Sequence, residues 1–329
     1  MIAPRWALRY ALALALAAVA AITATAACTS SNDTPDFPKV VSLGSGDIFP
    51  TILNSELAVG ENRVSMSIIN RDDDRVLDAF VRLRYYNLNN GTKLRATTDA
   101  RFIPIALSYI DEQSNHERTP SGDNGVYVSN VDFDEPGDWG VEITITRADK
   151  QLKPILFRFN VLDRSTEPAI GEAAPASVQQ TLATAPNIEE IDSSFPPRPA
   201  MHDTTIADAL KAGKPLVIAF ATPAYCRSRI CGPVMDTVMD PLAATYAGRA
   251  VFIHVEPYVL RDLREDNIQN TVPAMREWRL STEPWIFVID RQGRVVGKFE
   301  GIVAADEVES VLALALETSA AAVTPIATK

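Results

Sequence analysis

The chain has 329 residues, and its 42 aspartates and glutamates outnumber its 31 lysines and arginines, giving a formal charge of −11. This length is sufficient for two domains that each bury a core. The acidic balance predicts no nucleic-acid partner, because the sequence has no basic stripe to neutralise phosphates. It also argues against docking on anionic lipid through a polybasic patch.

The N-terminal segment has the pattern of an export signal. Arg5 and Arg9 precede a run without charge over residues 10–27, in which most side chains are apolar or small. A positive start followed by such a run is typical of a signal peptide, and the run is also close to the length of a membrane span. We therefore expect the rest of the chain to be extracytoplasmic, where a cysteine pair can persist as a disulfide.

Three fates are possible for this segment. Its end, Thr25-Ala-Ala-Cys28, resembles a bacterial lipobox, which implies lipidation of Cys28 and a membrane-anchored protein. Cleavage after Ala24-Thr25-Ala26 and an uncleaved anchor are the alternatives. We interpret residues 1–28 as a signal peptide with a lipobox and residues 29–40 as a tether.

Residues 41–163 have a β pattern throughout. Arg82 and Arg84 alternate with apolar neighbours, which indicates a half-buried strand. Short runs rich in β-branched and aromatic residues, separated by polar turns, predict an antiparallel sandwich. The predicted strands are Val64–Ile69, Phe80–Tyr86, Val126–Val131, Val141–Thr146 and Ile155–Val161.

The stretch from Tyr127 to Trp139, with Pro136-Gly137 before the tryptophan, resembles immunoglobulin-like modules of exported bacterial proteins. The resemblance implies an all-β immunoglobulin-like sandwich with Trp139 in its core, acting as a spacer or interaction module. The proline- and alanine-rich residues 164–200 are predicted to be a linker. Residues 318–329 are predicted to be a flexible tail.

Residues 201–317 have an alternating α/β pattern. A short helix capped by Thr204 or Thr205 and ended by Gly213 precedes the apolar strand 215–221. The later predicted elements are a helix at 232–247, a strand at 250–256, a short helix ending at Trp278, strands at 285–289 and 294–299, and a helix at 304–317.

Two motifs in this region carry a family resemblance. The first is Phe220-Ala-Thr-Pro-Ala-Tyr-Cys226-Arg-Ser-Arg-Ile-Cys231-Gly-Pro233, directly after the apolar strand. The second is Glu283-Pro284-Trp285-Ile-Phe-Val-Ile-Asp290, followed by Gly293 and Phe299-Glu-Gly301. Together they resemble the thioredoxin fold, and more closely the TlpA/ResA-like exported thiol-disulfide oxidoreductases.

The resemblance implies a role for each motif. Pro284 would be a cis-proline facing the cysteines, and the backbone of Glu283 would pair with a substrate chain beside Trp285. Cys226 and Cys231 would be the redox pair. We favour Cys226 as the attacking thiol and Cys231 as the resolving one, although Cys231-Gly-Pro-Val234 imitates the family's Cys-Gly-Pro-Cys and keeps the opposite register open.

The four-residue spacer departs from the family's Cys-x-x-Cys. On a regular helix the two Cα atoms would be roughly 8–9 Å apart, whereas a disulfide needs less than about 7 Å. Either Cys226 therefore lies in the loop before the helix, or the first turn unwinds on oxidation. Gly232-Pro233 supports the loop arrangement, because proline disfavours helix in the preceding residue.

Nearby charges bear on reactivity. Arg227 and Arg229 lie between the cysteines and are candidate stabilisers of a thiolate. The strand 215–221 lacks the buried carboxylate that thioredoxins use for proton transfer. Glu256, Asp236 and Glu283 are possible substitutes.

The sequence thus predicts a membrane-anchored thiol-disulfide oxidoreductase acting on exported cysteine-containing proteins. No nucleotide or flavin motif is present, so we expect no cofactor beyond the disulfide, and electrons exchanged with a membrane or extracytoplasmic redox partner. We assign no metal ligands, because His202 lies in the linker region and His254 lies mid-strand, unlike the ligand of Sco-type copper chaperones. The alternatives are a peroxiredoxin-Q-like thiol peroxidase, such a copper chaperone, and a non-catalytic adaptor with a structural disulfide.

Overall fold

The structure is a computed structural model. It describes residues 35–38, 48–105, 109–111, 116–118 and 124–317, with only the backbone for the two three-residue ranges. The predicted export segment, its Cys28, most of the tether and the tail lie outside the described residues. Among the helices of the described residues, none is long and apolar enough to cross a membrane.

The first described region is built of strands, as predicted. In the described part of residues 48–161 the strands are β1 (Ile48–Ile52), β2 (Gly60–Asn70), β3 (Phe80–Asn87), β4 (Lys93–Pro104), β5 (Tyr109–Asp111), β6 (His116–Arg118), β7 (Gly125–Phe133), β8 (Gly137–Arg147), β9 (Lys150–Gln151) and β10 (Ile155–Val161). The main sheet has the order β1-β2-β7-β4-β3-β8-β10, with β9 paired to β8, while β5 and β6 form a separate hairpin.

This sheet folds over on itself at β4. The first part of β4 pairs with β3, and its last residues, from Arg101 to Pro104, pair with β7. The two flanking strands nevertheless meet across the interior, since the hydroxyls of Tyr85 and Ser129 lie 2.8 Å apart. Trp139 is fully buried against Phe133, as expected of a core residue. The immunoglobulin-like arrangement itself stays a prediction.

The second region has the predicted α/β order. Its elements are α1 (Ile206–Lys211), β11 (Leu216–Phe220), α2 (Cys231–Val234), α3 (Asp240–Thr245), β12 (Val251–Val255), α4 (Leu260–Asp266), α5 (Pro273–Glu277), β13 (Trp285–Ile289), β14 (Val295–Glu300) and α6 (Ala305–Glu317). The sheet order is β12-β11-β13-β14, in which β11 is parallel to β12 and antiparallel to β13. Thr205 is the residue that caps α1.

Helices cover both faces of this sheet, which explains why β11 is buried along its whole length. Because successive side chains of a strand point to opposite faces, Val217 and Ala219 pack with α2, α3 and α6. Leu216, Ile218 and Phe220 pack on the other side with α1 and α5. Such two-sided burial produces the continuous apolar run seen in the sequence.

A π-helical turn over Met235–Met239 joins α2 to α3. Pro241 follows directly, and a proline inside a helix removes one hydrogen bond and crowds the preceding turn. A wider turn just before it accommodates that loss. The predicted helix at 232–247 is therefore present as one nearly continuous element with an interruption in the middle.

Residues 164–200, expected to be a linker, are packed on the second region. Residues 171–174 run beside β14 and bond to it through the backbone, as in the pair Gly171 N to Val295 O at 2.7 Å. Lys298 also binds Glu167 at 2.6 Å, and the Trp278 indole donates to Ser177. The segment has no helical or strand periodicity because polar contacts, rather than an apolar face, fix it in place.

Candidate active site

Two consecutive turns form the loop after β11, which we call the cysteine loop (residues 221–230). The N–H of Tyr225 donates to the Thr222 carbonyl, and the N–H of Arg229 donates to the Cys226 carbonyl. Pro223 follows Thr222, where a fixed φ favours a turn. The helix then begins at Cys231, so Cys226 lies before it rather than on it.

This geometry allows the predicted disulfide. The Cys226 and Cys231 sulfurs are bonded, and their Cα atoms are 5.9 Å apart. That distance lies within the range for disulfides. Of the two arrangements that the spacing allowed, the structure has the one with Cys226 in the loop. Cys226 is 8% exposed whereas Cys231 is 0% exposed.

Pro284 lies at the same end of the sheet as the cysteine loop. Phe220, the last residue of β11, pairs with Trp285, the first residue of β13. The next residues along, Ala221 and Pro284, are therefore neighbours across the sheet end. The predicted cis bond between Glu283 and Pro284 is present. The Trp285 indole is buried and donates to Thr282.

A more exposed polar group, which we call the outer trio, consists of Arg227 in the loop and its neighbours Tyr258 and Glu283. The Tyr258 hydroxyl donates to Glu283 Oε2 at 2.9 Å. Burial raises the pKa of Glu283, while Tyr258 and the positive charge of Arg227 partly offset that rise. Arg227 is exposed, and its charge acts on this carboxyl.

The predicted thiolate stabilisers are not the groups that touch the disulfide. The polar neighbours of the Cys226 sulfur are the Ser228 hydroxyl at 3.1 Å and the N–H of Cys231 at 3.4 Å. Arg227 and Arg229 are both exposed, and Arg229 has a positive φ of 59° in the turn. Any effect of the two arginines on a thiolate would act through space and solvent, and that role stays a prediction.

A mostly buried polar network contacts the backbone of the loop. We call it the inner network, and it comprises Asp192, Ser193, His202, His254 and Glu256. The Ser193 hydroxyl accepts the N–H of Ala224 at 3.2 Å, and the N–H of Ser193 donates to Glu256 Oε1 at 2.7 Å. Burial raises the pKa of Glu256 to about 7, against the lowering effects of His254 and Ser193.

The two histidines of this network converge on Asp192. His202 Nε2 lies 3.2 Å from Asp192 Oδ2, and His254 Nδ1 lies 3.5 Å from Asp192 Oδ1. The other ring nitrogen of His254, Nε2, lies 2.9 Å from the carbonyl oxygen of Ala221. Burial opposes the charged form of His254, yet the nearby Asp192 holds its pKa above the usual value.

Sequence reasoning missed this network apart from naming Glu256 as a possible proton acceptor. Asp192 and Ser193 were placed in the predicted linker, and His202 was placed beside it. Only two signals in the sequence hinted at burial: the apolar neighbour Ile191 and the position of His254 inside an apolar strand. The structure does not bring Asp236 to the disulfide; the carboxylate of Asp236 binds Arg198 instead.

No protein-family model and no curated protein sequence matches the chain. Among solved structures, a thiol:disulfide interchange protein of the thioredoxin family from Chlorobium tepidum TLS is 19% identical, with 45% of this chain and 98% of that chain covered and a TM-score of 0.30. MTB dsbF, in mixed oxidized and reduced forms, is 16% identical over 39% of this chain and 96% of that chain, with a TM-score of 0.26.

The PmoD soluble domain from Methylocystis sp. is 17% identical, covers 37% of this chain and 95% of that chain, and has a TM-score of 0.22. Similarity at this level assigns no activity. The fold assignment comes from the molecule itself, from the strand order β12-β11-β13-β14 and the helices on both faces. The second region of this chain has a thioredoxin-like fold.

Proposed function

We propose that the thioredoxin-like region catalyses thiol-disulfide exchange on exported proteins. The observation that carries the proposal is the Cys226–Cys231 disulfide at the start of a helix, in the loop that leaves the central strand. The loop that holds the disulfide leaves the sheet at the end where Pro284 lies, and the disulfide closes a short loop rather than stapling two distant parts of the chain. This placement favours exchange chemistry over the adaptor alternative.

The exchange proceeds through two thiolate attacks. In the reducing direction, the Cys226 thiolate attacks a substrate disulfide, forming a mixed disulfide and releasing one substrate thiolate. The Cys231 thiolate then attacks the Cys226 sulfur, releasing the second substrate thiolate and closing the Cys226–Cys231 disulfide. Two electrons pass from the dithiol to the substrate, and the reverse sequence oxidises a substrate dithiol.

The assignment of Cys226 as the attacking residue follows from its environment. Cys226 is the more exposed of the two sulfurs, whereas Cys231 is fully buried. The backbone N–H of Cys231 donates to the Cys226 sulfur at the start of the helix. Donors and helix N-termini of this kind stabilise a thiolate. The exposed Arg227 and Arg229 would add a weaker, solvent-screened attraction.

Substrate alignment is assigned to the segment at Pro284. The backbone of Glu283 would pair with an extended substrate chain, as strand addition provides affinity through main-chain hydrogen bonds. The side chain of Trp285 is buried, so its contribution would come from its backbone and from supporting the sheet end.

The wider setting is proposed on the sequence patterns. We place the protein among TlpA/ResA-like oxidoreductases, exported and lipid-anchored through Cys28, with an immunoglobulin-like sandwich as spacer or interaction module. The disulfide is the only cofactor that this function requires. Electrons would be exchanged with a membrane or extracytoplasmic redox partner.

A disulfide-exchange assay on a fluorescent peptide disulfide tests the proposal. We expect the full chain, supplied with a dithiol reductant, to catalyse reduction of the peptide disulfide. Both Cys226→Ser and Cys231→Ser should reduce the rate to the uncatalysed background. Only Cys231→Ser should accumulate a mixed disulfide with the peptide, because its attacking thiol has no resolving partner.

The same proteins distinguish the peroxidase alternative. If the wild-type chain consumes hydrogen peroxide in a Cys226-dependent way and leaves the peptide disulfide unchanged, the exchange proposal is wrong. A mixed disulfide that accumulates on Cys226→Ser instead would reverse the assignment of the two cysteines.

A further inference from the structure

The triad Asp192, His202 and His254 is not used by disulfide exchange. All three are buried, with exposed fractions of 2%, 2% and 1%. They come from separate parts of the chain, yet one ligand atom of each lies within 4.8 Å of the others. Such convergence of two imidazoles and a carboxylate in the interior requires an explanation, because burying a charged group without compensation is costly.

The hydrogen bonding of His254 fixes its tautomer. Nε2 lies 2.9 Å from the Ala221 carbonyl oxygen, which can only accept, so Nε2 carries a hydrogen. In a neutral ring, Nδ1 then presents a lone pair to Asp192 Oδ1 at 3.5 Å. Nδ1 is buried, and among the described residues it has no hydrogen-bond partner. Two electron-rich atoms would then face each other, so either a proton on Nδ1 or a metal ion must lie between them.

The spacing fits a tetrahedral metal ion. Two ligands bound to zinc at about 2.0–2.1 Å lie about 3.3–3.4 Å apart. His202 Nε2 lies 3.2 Å from Asp192 Oδ2 and His254 Nδ1 lies 3.5 Å from Asp192 Oδ1, so each imidazole faces its own oxygen of the carboxylate at about that spacing. His202 Nε2 and His254 Nδ1 are within 4.8 Å of each other, so a small inward shift would complete the set.

The surroundings have the features of an outer coordination shell. A metal-bound histidine normally donates its other N–H to a carbonyl or carboxylate, as His254 does to Ala221. A ligating carboxylate is normally oriented by hydrogen bonds as well. The carboxylate of Asp192 accepts backbone N–H groups from Ser194 at 2.8 Å and from Arg198 at 2.6 Å.

An entry path also exists. A cavity of about 420 Å³ is lined by both histidines and by Glu256. It gives an ion, and a water molecule as a fourth ligand, access to the histidine side of the triad. Glu256 Oε2, at this wall, is a buried oxygen without a hydrogen-bond partner in the described part of the chain.

We propose that Asp192, His202 and His254 bind one divalent first-row transition-metal ion, with zinc as the representative ion. The ligand atoms are a carboxylate oxygen of Asp192, His202 Nε2 and His254 Nδ1. Imidazole and carboxylate donors suit zinc and its neighbours in the series. The site does not include the cysteines, and the hydrogen bond from His254 to Ala221 connects it to the cysteine loop.

The test uses a full-length chain in which all three cysteines are replaced by serine, so that thiols cannot contribute ligands. After treatment with a chelator, the protein is dialysed against zinc chloride, and bound zinc is measured by elemental analysis. We expect one zinc ion per chain, at least tenfold weaker binding in His202→Gln and His254→Gln, and unchanged binding in His116→Gln. His116 is the remaining histidine of the sequence.

X-ray absorption at the zinc edge of the cysteine-free chain keeps the proposal falsifiable if the glutamine variants do not fold. The spectrum should show nitrogen and oxygen ligands including two imidazoles. Absence of stoichiometric zinc in the folded protein, or equal zinc binding in the His202→Gln and His254→Gln variants, would overturn the proposal. The cation between His254 and Asp192 would then be a proton. Neither result depends on exchange activity, so failure here is separate from failure of the proposed function.

Discussion

The outer trio and the inner network both neighbour the cysteine loop, and they differ in burial and in the way that each is built. Outside, the exposed Arg227 acts on a half-buried pair, Tyr258 and Glu283. Inside, the side chains hold the backbone of the loop through direct hydrogen bonds, from His254 to Ala221 and from Ala224 to Ser193.

This difference separates two properties of the cysteine loop, its reactivity and its position. Solvent screens exposed charges, so such charges contribute little to the stability of the fold. The outer trio can therefore change how fast a partner binds or a thiolate reacts without stabilising the fold. Buried polar groups are costly to leave unpaired, so the inner network fixes where the loop lies. We therefore expect inner substitutions to affect stability and outer substitutions to affect reactivity.

The largest effect should follow removal of the centre of the inner network. Asp192→Ala leaves two backbone N–H groups and the His202 ring without their acceptor. Each buried donor left unsatisfied costs about 1–3 kcal/mol, so we expect a loss of at least about 3 kcal/mol. Urea unfolding measures this loss. Asp203→Ala, at an exposed aspartate nearby, should stay within about 0.5 kcal/mol of wild type. Equal effects of the two substitutions on the free energy of unfolding would show that the inner network does not stabilise the fold more than exposed side chains do.

A smaller loss is expected for Ser193→Ala. This change removes the acceptor of the Ala224 N–H in a part-buried hydrogen bond, and a hydrogen bond of this kind contributes about 0.5–1.5 kcal/mol. Its neighbour Ser194 is the matched control, because the Ser194 hydroxyl is buried and has no hydrogen-bond partner in the described part of the chain. Ser194→Ala should therefore leave the free energy of unfolding unchanged or raise it. The opposite order would show that Ser193 does not hold the loop.

Substitution in the outer trio should change the reactivity of Cys226. Arg227→Ala removes an exposed charge next to Cys226, and a surface interaction of about 0.2–1 kcal/mol corresponds to a roughly 1.4- to fivefold slower alkylation of reduced Cys226. Stability should hardly change. Lys214→Ala removes the same charge from an exposed position at the other end of β11 and should leave the alkylation rate unaltered. An unchanged rate in Arg227→Ala would exclude this arginine as a thiolate stabiliser.

The smallest effect concerns pH. Burial raises the pKa of Glu283 in the folded protein above its unfolded value of about 4.5, so the folded state holds this proton more tightly. The carboxyl therefore favours folding fully below about pH 4.5, and that contribution is lost as pH rises through the folded pKa. Glu283→Gln cannot titrate, so its stability relative to wild type should increase from pH 4.5 to pH 7.

Urea unfolding at several pH values measures that difference, with Glu265→Gln, at an exposed glutamate, as the control. A difference that shrinks with rising pH would contradict the direction of the pKa shift. A similar increase in Glu265→Gln would show that the effect does not belong to the outer trio.

Periodicity predicted the fold well where side chains alternate between an interior and a surface. The buried run Leu216–Phe220 and the cysteine loop after it were located from sequence, as was the cis bond before Pro284. Strand β4 was missed, because most of its side chains are polar or small and the strand is divided between two partners.

The inner network was missed for a different reason. Asp192 lies in a segment that is fixed by polar contacts and has no period, and it meets His254 only through the tertiary fold, 62 residues further along the sequence. The two signals in the sequence were the apolar neighbour Ile191 and the position of His254 inside an apolar strand, and the second is equally typical of a histidine satisfied within a core. Sequence patterns report which side chains are buried more readily than which polar groups meet.

The central claim is that Cys226 and Cys231 exchange with other thiols, and their reduction potential tests it most directly. The full chain would be equilibrated in graded glutathione and dithiothreitol buffers, alkylated, and analysed by mass spectrometry of the peptide that holds both cysteines. The account predicts ready equilibration with a midpoint between about −120 and −270 mV, the range of known exchange proteins. A disulfide that resists reduction below about −300 mV would contradict it and identify a structural bond.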